Sequence, residues 1–324
     1  MLKDNKILRG IGAVTFSSVL WGTTGTTASL TSGVNPLAIG AFSTGLGGLL
    51  LFIYSLKAIK RDMPILLSNP LLLLIGSLSV ALYPLAFYTS MNWSGIAIGT
   101  VVSIASAPFF TVILERLISK KSIKVSWVVS FAFGGLGITF LAFSHPHQYS
   151  PDSEFTRHNL GLVLGLVAGL TYAFYSWAAK ELIDKGISSK SSMGCLFGLA
   201  CLLLLPSLLY TGDNLFRDAE HTMIALYLAT IPMFIGYLCF GYGLRYIDAS
   251  KATLITLLEP LVATVLAVVI VGEQLTKLGW VGISSIILCL LIQIKSTSPI
   301  PKLNSNKATA RNAGITVGSS SAEL

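Results

Sequence analysis

Stretches of about twenty consecutive apolar residues recur almost without pause along this chain, and that recurrence restricts the solvents in which it can fold. A helix of that length spans roughly 30 Å of hydrocarbon. Ten such stretches are read, at approximately 10–30, 36–56, 65–90, 95–117, 125–144, 159–179, 192–210, 222–244, 249–271 and 276–294. Composition agrees: 53% of the 324 residues are hydrophobic and 11% charged, where a soluble domain carries about 25% charged residues. A water-soluble fold has no core large enough to hide this much apolar surface. The expectation is an all-α polytopic membrane protein of ten transmembrane helices, with short connections that make sequential helices antiparallel.

The basic residues orient those helices. With the N-terminus in the cytoplasm and loops alternating sides, all but three of the 22 Lys and Arg residues fall inside; only Arg157, Arg217 and Lys277 fall outside. Lys and Arg accumulate on the cytoplasmic side of membrane proteins, so both termini are expected there. The net charge of +8 follows from the same asymmetry and points to no nucleic-acid partner. The first stretch, behind Lys3, Lys6 and Arg9, has the look of a signal peptide, but nine further spans and the lack of a small-residue cleavage site argue for a multi-pass protein.

Metal and disulfide chemistry find little support. Cys195, Cys201, Cys239 and Cys289 lie inside apolar stretches without paired spacing and read as small buried hydrophobes. His145 and His147, in the external loop 146–158 and at its border, read as part of a solvated connector. No metal and no cofactor are expected. Residues 296–324, rich in Ser, Thr, Asn and Lys without periodicity, read as a disordered cytoplasmic tail.

An internal repeat organises the rest. When residues 97–114 are set over 249–266, Ala97 meets Ala249, Pro108 meets Pro260 and Leu114 meets Leu266, and Trp127 meets Trp280 one residue further on. Two homologous units, 1–145 and 159–295, follow, with five helices each. Five is odd, so the second unit starts on the opposite side of the membrane. Inverted repeats of this kind place a substrate site near the midplane where the halves meet.

The match isolates one residue. Pro108 and Pro260 both kink a helix and free backbone carbonyls, but Glu259 stands where the first half has Ala107. An ionised carboxylate near the bilayer centre costs about 2.5–3.5 kcal/mol on insertion scales, so it must face a cavity, find a partner or be protonated. Ala252, Thr256, Glu259, Ala263 and Ala267 share one small, polar helix face, and Thr100, Ser103, Ala107 and Thr111 repeat it in the first half. Two readings stay open. In one, Glu259 couples a proton to transport or pairs with a substrate amine. In the other it hydrogen-bonds a freed backbone group or a Tyr hydroxyl to lock the Pro260 kink. Trp21, Tyr83, Phe87, Tyr172, Tyr175 and Tyr237 lie at compatible positions and, with Ser103, Thr256 and Glu259, form the expected substrate site. Gly161, Gly165 and Gly169 read as a packing ridge.

The "WG" of the first helix, the run "G-x-x-x-G-x-x-x-G-L-T-Y-A-x-Y" that opens the second half, and "LEPL…GEQLTKLGWVG" over 258–282 resemble the ten-helix EamA-type transporters of the drug/metabolite transporter superfamily. The resemblance covers about 10–295. Two positions depart from its pattern: Lys120 and Lys121 replace an acidic residue after the first Pro helix, and Ser29 stands where a Lys is common. It implies secondary export of small polar metabolites, typically amino acids and their relatives, across the bacterial inner membrane, with proton coupling as one expected mode. The alternative is a facilitative exchanger or importer of a nucleoside-type solute, a nucleotide sugar or a quaternary amine. No H-E-x-x-H, G-x-S-x-G or P-loop occurs, so an enzyme or an ATP-driven pump is not expected. A small-molecule substrate and the lipid bilayer are the expected partners.

Overall fold

The computed structural model describes residues 2–28, 30–31, 33–144, 155–266, 268–269 and 276–295. His145 and His147, most of the 146–158 loop, Ala267 and the 296–324 tail lie outside them.

Among the described residues, twelve α-helices follow one another: α1 (Leu2–Ala28), α2 (Pro36–Leu67), α3 (Pro70–Ser94), α4 (Ile96–Leu117), α5 (Val125–Phe143), α6 (Phe155–Asp184), α7 (Ser189–Thr211), α8 (Ala219–Leu228), α9 (Gly236–Leu244), α10 (Ala249–Ile255), α11 (Leu258–Leu266) and α12 (Lys277–Lys295). A π-helical segment, Ala229–Ile235, joins α8 to α9 without a break. Eight helical stretches among the described residues are long and apolar enough to cross a bilayer, counting Ala219–Leu244 and Ala249–Leu266 as one each, and Val125–Leu141 is a shorter apolar helix. The protein is a polytopic, all-helical membrane protein. α1 is not among the eight: Lys3, Asp4, Lys6 and Arg9 at one end and four threonines at the other dilute its apolar character.

The helices overrun the apolar stretches where polar residues continue them. α2 extends from an Asn35 cap, whose side chain accepts from the Leu37 N–H, to Leu67 rather than stopping near 56. It does so because Lys57, Lys60 and Arg61 carry it beyond the apolar run. α3 and α4 are nearly continuous, separated by Gly95 at φ 91°, a conformation that glycine alone adopts freely.

The packing has a two-fold pattern. α2 lies on α7 and α5 lies on α12, each on its counterpart in the other half. α6 packs on α3 and α4, while α1 packs on α9 and α11. One apolar cluster unites α1, α2, α3, α6, α7 and α9; a second joins α4 and α5 to α10, α11 and α12. Leu254 and Leu261 belong to this second cluster, with Ile104, Ile138 and Ile286, while Val265 is exposed.

Glycine sets the closest approaches. A methyl group on Gly161 would sit 2.7 Å from the Ser94 nitrogen, and one on Gly169 would sit 2.7 Å from the Ser103 carbonyl oxygen. The glycine ridge of α6 thus brings its backbone onto α3 and α4, and the Ser90 hydroxyl donates to the Gly161 carbonyl across that contact at 2.7 Å. The four cysteines are free thiols.

Candidate functional site

Pro260 cannot donate to the Thr256 carbonyl, and its ring presses on that turn. The helix breaks there: α10 stops at Ile255, α11 begins at Leu258, and the Glu259 N–H closes a tighter bond to the Thr256 carbonyl at 2.9 Å. The matching α4 runs through Pro108 without interruption. Among the described residues, the helix that carries Pro260 is divided while its counterpart α4 is not, and Glu259 stands in the first turn of α11.

Around that break lies a cavity of about 50 Å³, several times the ~10–15 Å³ that one water needs. Of the residues expected at the site, Trp21, Tyr83, Phe87, Tyr172, Tyr175, Tyr237 and Glu259 line it. Ser103 and Thr256 do not. Ser103 is fully buried at the α4–α6 contact, where Gly169 brings the α6 backbone onto it, and its hydroxyl turns back to the Gly99 carbonyl. Thr256 is buried behind Tyr172, whose hydroxyl donates to it at 3.0 Å.

The aromatic rings form a continuous wall. Phe87 stacks on Tyr83 (5.5 Å between centroids), Tyr83 meets Tyr172 at 5.5 Å, and Tyr172 stacks on Tyr175 at 5.1 Å. The hydroxyls of Tyr175 and Tyr237 lie 3.2 Å apart, and Tyr237 meets Trp21 at 4.8 Å. Buried tyrosine and tryptophan need partners for their polar ends, and the broken helices provide them. The Trp21 indole N–H donates to the Pro232 carbonyl at 2.9 Å, within the π-helical segment, where the wider turn exposes carbonyls.

The sequence pair "WG" has a physical reading here. Trp21 reaches the π-helical segment between α8 and α9, while Gly22 admits α11: a methyl there would come within 2.6 Å of Val262 and 3.0 Å of the Glu259 carbonyl. Gly236 in turn leaves room for the Trp21 ring.

Residues that pattern reading passed over also line the cavity: Thr24, Ser43, Thr44, Pro84, Tyr88 and Met233. Tyr88 follows Phe87 directly, so helical spacing from Tyr83 favours its neighbour. The hydroxyls of α1 and α2 announce themselves only through the Thr-rich run after Trp21.

Glu259 is partly accessible at the cavity wall. Among the described residues its carboxyl makes no hydrogen bond and no ion pair, although Tyr83, Tyr88, Tyr172 and Tyr237 line the same cavity. Nothing described therefore ties it to the Pro260 kink.

A second polar cluster occupies the end of the bundle where most lysines lie. Lys120, at φ 55°, turns the chain after α4 so that the Lys121 N–H meets the Glu115 carbonyl at 2.9 Å. The Lys121 ammonium then lies 2.7 Å from Asp248, 3.5 Å from Glu115 and 3.7 Å from Asp184. Buried Glu115 also accepts the Ala249 N–H at 3.0 Å, so α4 holds the start of α10. Burial alone would lower the Lys121 pKa, but the hydrogen bond to Asp248 and the charges of Glu115, Asp248 and Asp184 together push it up to about 12. Among the described residues no group of three or more His, Cys, Asp or Glu is arranged to hold a metal ion.

Comparison with known proteins places this geometry in a family. The EamA-like transporter family matches residues 8–143 and again residues 159–294. The uncharacterized transporter YwfM of Bacillus subtilis (strain 168) is 30% identical over 282 residues, 86% of this chain and 91% of its own. A "Probable terminal-alkyne amino-acid exporter" of Streptantibioticus cattleyicolor is 24% identical over 218 residues, 66% of this chain and 69% of its own. A protein of known crystal structure superposes with a TM-score of 0.70 at 15% identity, covering 93% of this chain and 98% of its own, and shares the fold. Two matches in tandem, together spanning most of the sequence, mean that the chain belongs to the EamA-like transporter family of the drug/metabolite transporter superfamily.

Proposed function

We propose that this transporter is a secondary active exporter of small polar metabolites such as amino acids or related amines, that it works across the bacterial inner membrane, and that Glu259 carries the coupling proton. The single observation behind this reading is the Glu259 carboxyl: it lines a cavity walled by helices of both halves and has no partner among the described residues. A carboxyl in that position has three fates: to stay neutral, to take a counter-ion from the solute, or to be wetted and ionised. Transport that alternates between a closed and a wetted site passes through all three.

Two matching five-helix units supply the moving parts. With α1 and α5 counted as spans, ten helices cross the membrane, the units are inverted, and both termini lie in the cytoplasm. The cavity residues of α1, α2 and α3 then fall in the outer halves of their helices, and the Lys121 cluster seals the cytoplasmic end. Rocking one unit against the other opens that end and closes the outer one. The name of the S. cattleyicolor relative agrees with export of an amino-acid-like solute.

The test is reconstitution of the full chain in liposomes with an imposed pH gradient and a panel of amino acids and amines, each followed as labelled flux. Saturable movement of at least one solute that stops when the gradient is collapsed supports the reading. Flux indistinguishable from protein-free liposomes across the panel, with the protein demonstrably folded and inserted, overturns it.

A further inference from the structure

We infer that the cavity selects organic monocations that lack a carboxylate, amines with a planar or apolar body, over the zwitterionic amino acids. The inference rests on the reading that this cavity is where the solute binds, and it narrows the solute class.

Charge gives the first argument. Glu259 is the one Asp, Glu, Lys, Arg or His among the described residues that line the cavity. Lys251, the nearest base along its span, is eight residues away, about 12 Å of helix at roughly 1.5 Å per residue. Residues 267 and 270–275 include no Lys, Arg or His in the sequence. An amino acid placed with its ammonium on Glu259 would bring a carboxylate into a confined site with no positive charge to receive it and a like charge close by. Buried charges of that kind are strongly disfavoured.

The direction of the hydroxyl groups gives the second. Thr24 donates to the Trp21 carbonyl at 2.6 Å, Ser43 to the Gly40 carbonyl at 3.4 Å and Thr44 to the Met233 sulfur at 3.8 Å. Tyr172 donates to Thr256, and the Tyr175 and Tyr237 hydroxyls share one bond. These groups have used protons on the protein itself and turn mainly lone pairs toward the cavity. Such a lining accepts hydrogen bonds; an ammonium group supplies three, and a carboxylate supplies none. Tyr83, Tyr88 and whichever of Tyr175 and Tyr237 accepts in their shared bond carry the hydroxyls left to donate, and three neutral donors do not balance an anion beside Glu259. The ring faces of Trp21, Tyr83 and Tyr172 then suit a cation and a flat apolar body.

The test compares matched probes on the wild-type full chain in detergent, by thermal stabilisation titrated to an affinity: phenethylamine, L-phenylalanine methyl ester, L-phenylalanine and 3-phenylpropionate. The two carboxylate-free cations are expected to bind at least tenfold more tightly than L-phenylalanine, with 3-phenylpropionate weaker still. Glu259→Gln is expected to reduce phenethylamine affinity at least tenfold while 3-phenylpropionate binds no more weakly than to the wild type, since the like charge beside it is gone. L-phenylalanine binding as tightly as phenethylamine, or no stabilisation by either cation, overturns the inference without any need for the variant. Labelled flux in liposomes separates the two claims. An amine that binds but is not carried sinks the transport reading and leaves the selectivity standing, whereas carried phenylalanine with excluded phenethylamine does the reverse.

Discussion

The Tyr172 hydroxyl donates to the Thr256 side-chain oxygen at 3.0 Å, and Thr256 passes its own proton to the Thr253 carbonyl at 2.8 Å. The contact ties α6 to the residue that caps α10, one turn before Glu259. Interhelical hydrogen bonds in membrane proteins average about 0.6 kcal/mol and reach about 1.7. Tyr172→Phe and Thr256→Val are each expected to cost about that much. The double variant should cost less than the sum, by roughly the same amount, in a double-mutant cycle read by thermal or denaturant unfolding. Strict additivity would mean the bond carries no coupling.

Two glycines on α5 offer a sharp contrast. A methyl on Gly137 would lie 2.7 Å from the Ile286 side chain and 2.8 Å from the Gly282 carbonyl, whereas one on Gly135 would meet nothing within 4 Å. Gly137→Ala must push α5 off α12 and should destabilise by about 1–3 kcal/mol. Gly135→Ala should change stability by less than about 0.5 kcal/mol. Equal effects of the two, measured by unfolding in mixed micelles, would show that α5 and α12 are not packed as described.

The Lys121 cluster predicts both a stability effect and a pH range. Removing the Glu115 carboxyl as Glu115→Ala leaves the Ala249 N–H and the Lys121 ammonium short of a partner. That should cost about 1–3 kcal/mol and speed proteolysis near α10. The pKa of Lys121 is raised to about 12 when folded, against about 10.4 in an unfolded chain. The stabilisation is therefore complete below the unfolded value and lost as pH rises through the folded one. Between pH 6 and 9 its charge stays constant, so Lys121→Met should leave the shape of any transport pH profile in that range unchanged. A profile that moved would place Lys121 in the coupling.

Orientation is checked by reporters. A fusion after Lys295 should be active in the cytoplasm and inactive outside, and a reporter inserted between α7 and α8, beside Arg217, should do the opposite. The reverse pattern would invert the chain and put the Lys121 cluster on the outer side.

Much of this architecture is legible in the sequence because apolar length alone specifies a crossing helix. Glu259 stood out because nothing in its repeat partner shares it. The interruptions were not legible in the same way. Pro232 sits in an unbroken apolar run, and only the folded chain shows that it takes a π-helical turn whose carbonyl receives Trp21. Pro108 and Pro260 look alike in sequence, yet α4 stays whole while Ala249–Leu266 divides into α10 and α11. Ser103 shows the opposite failure: a polar residue on the expected face faces a neighbouring backbone, because Gly169 on another helix lets that backbone in. The departure at Lys120 and Lys121 was visible as a mismatch, but its use was not, since Asp248 lies 127 residues away in the chain.

On the function proposed here, the Glu259 proton is coupled to transport. Glu259→Gln keeps the shape and hydrogen-bonding capacity of the side chain but cannot ionise. The decisive measurement is flux of a carried solute in liposomes with and without an imposed pH gradient, for wild type and for this variant at matched insertion. Wild-type flux should be stimulated by the gradient. The variant should lose that stimulation and retain at most gradient-independent exchange. Transport by the variant with the wild-type dependence on the gradient would contradict the account and leave Glu259 as part of the scaffold.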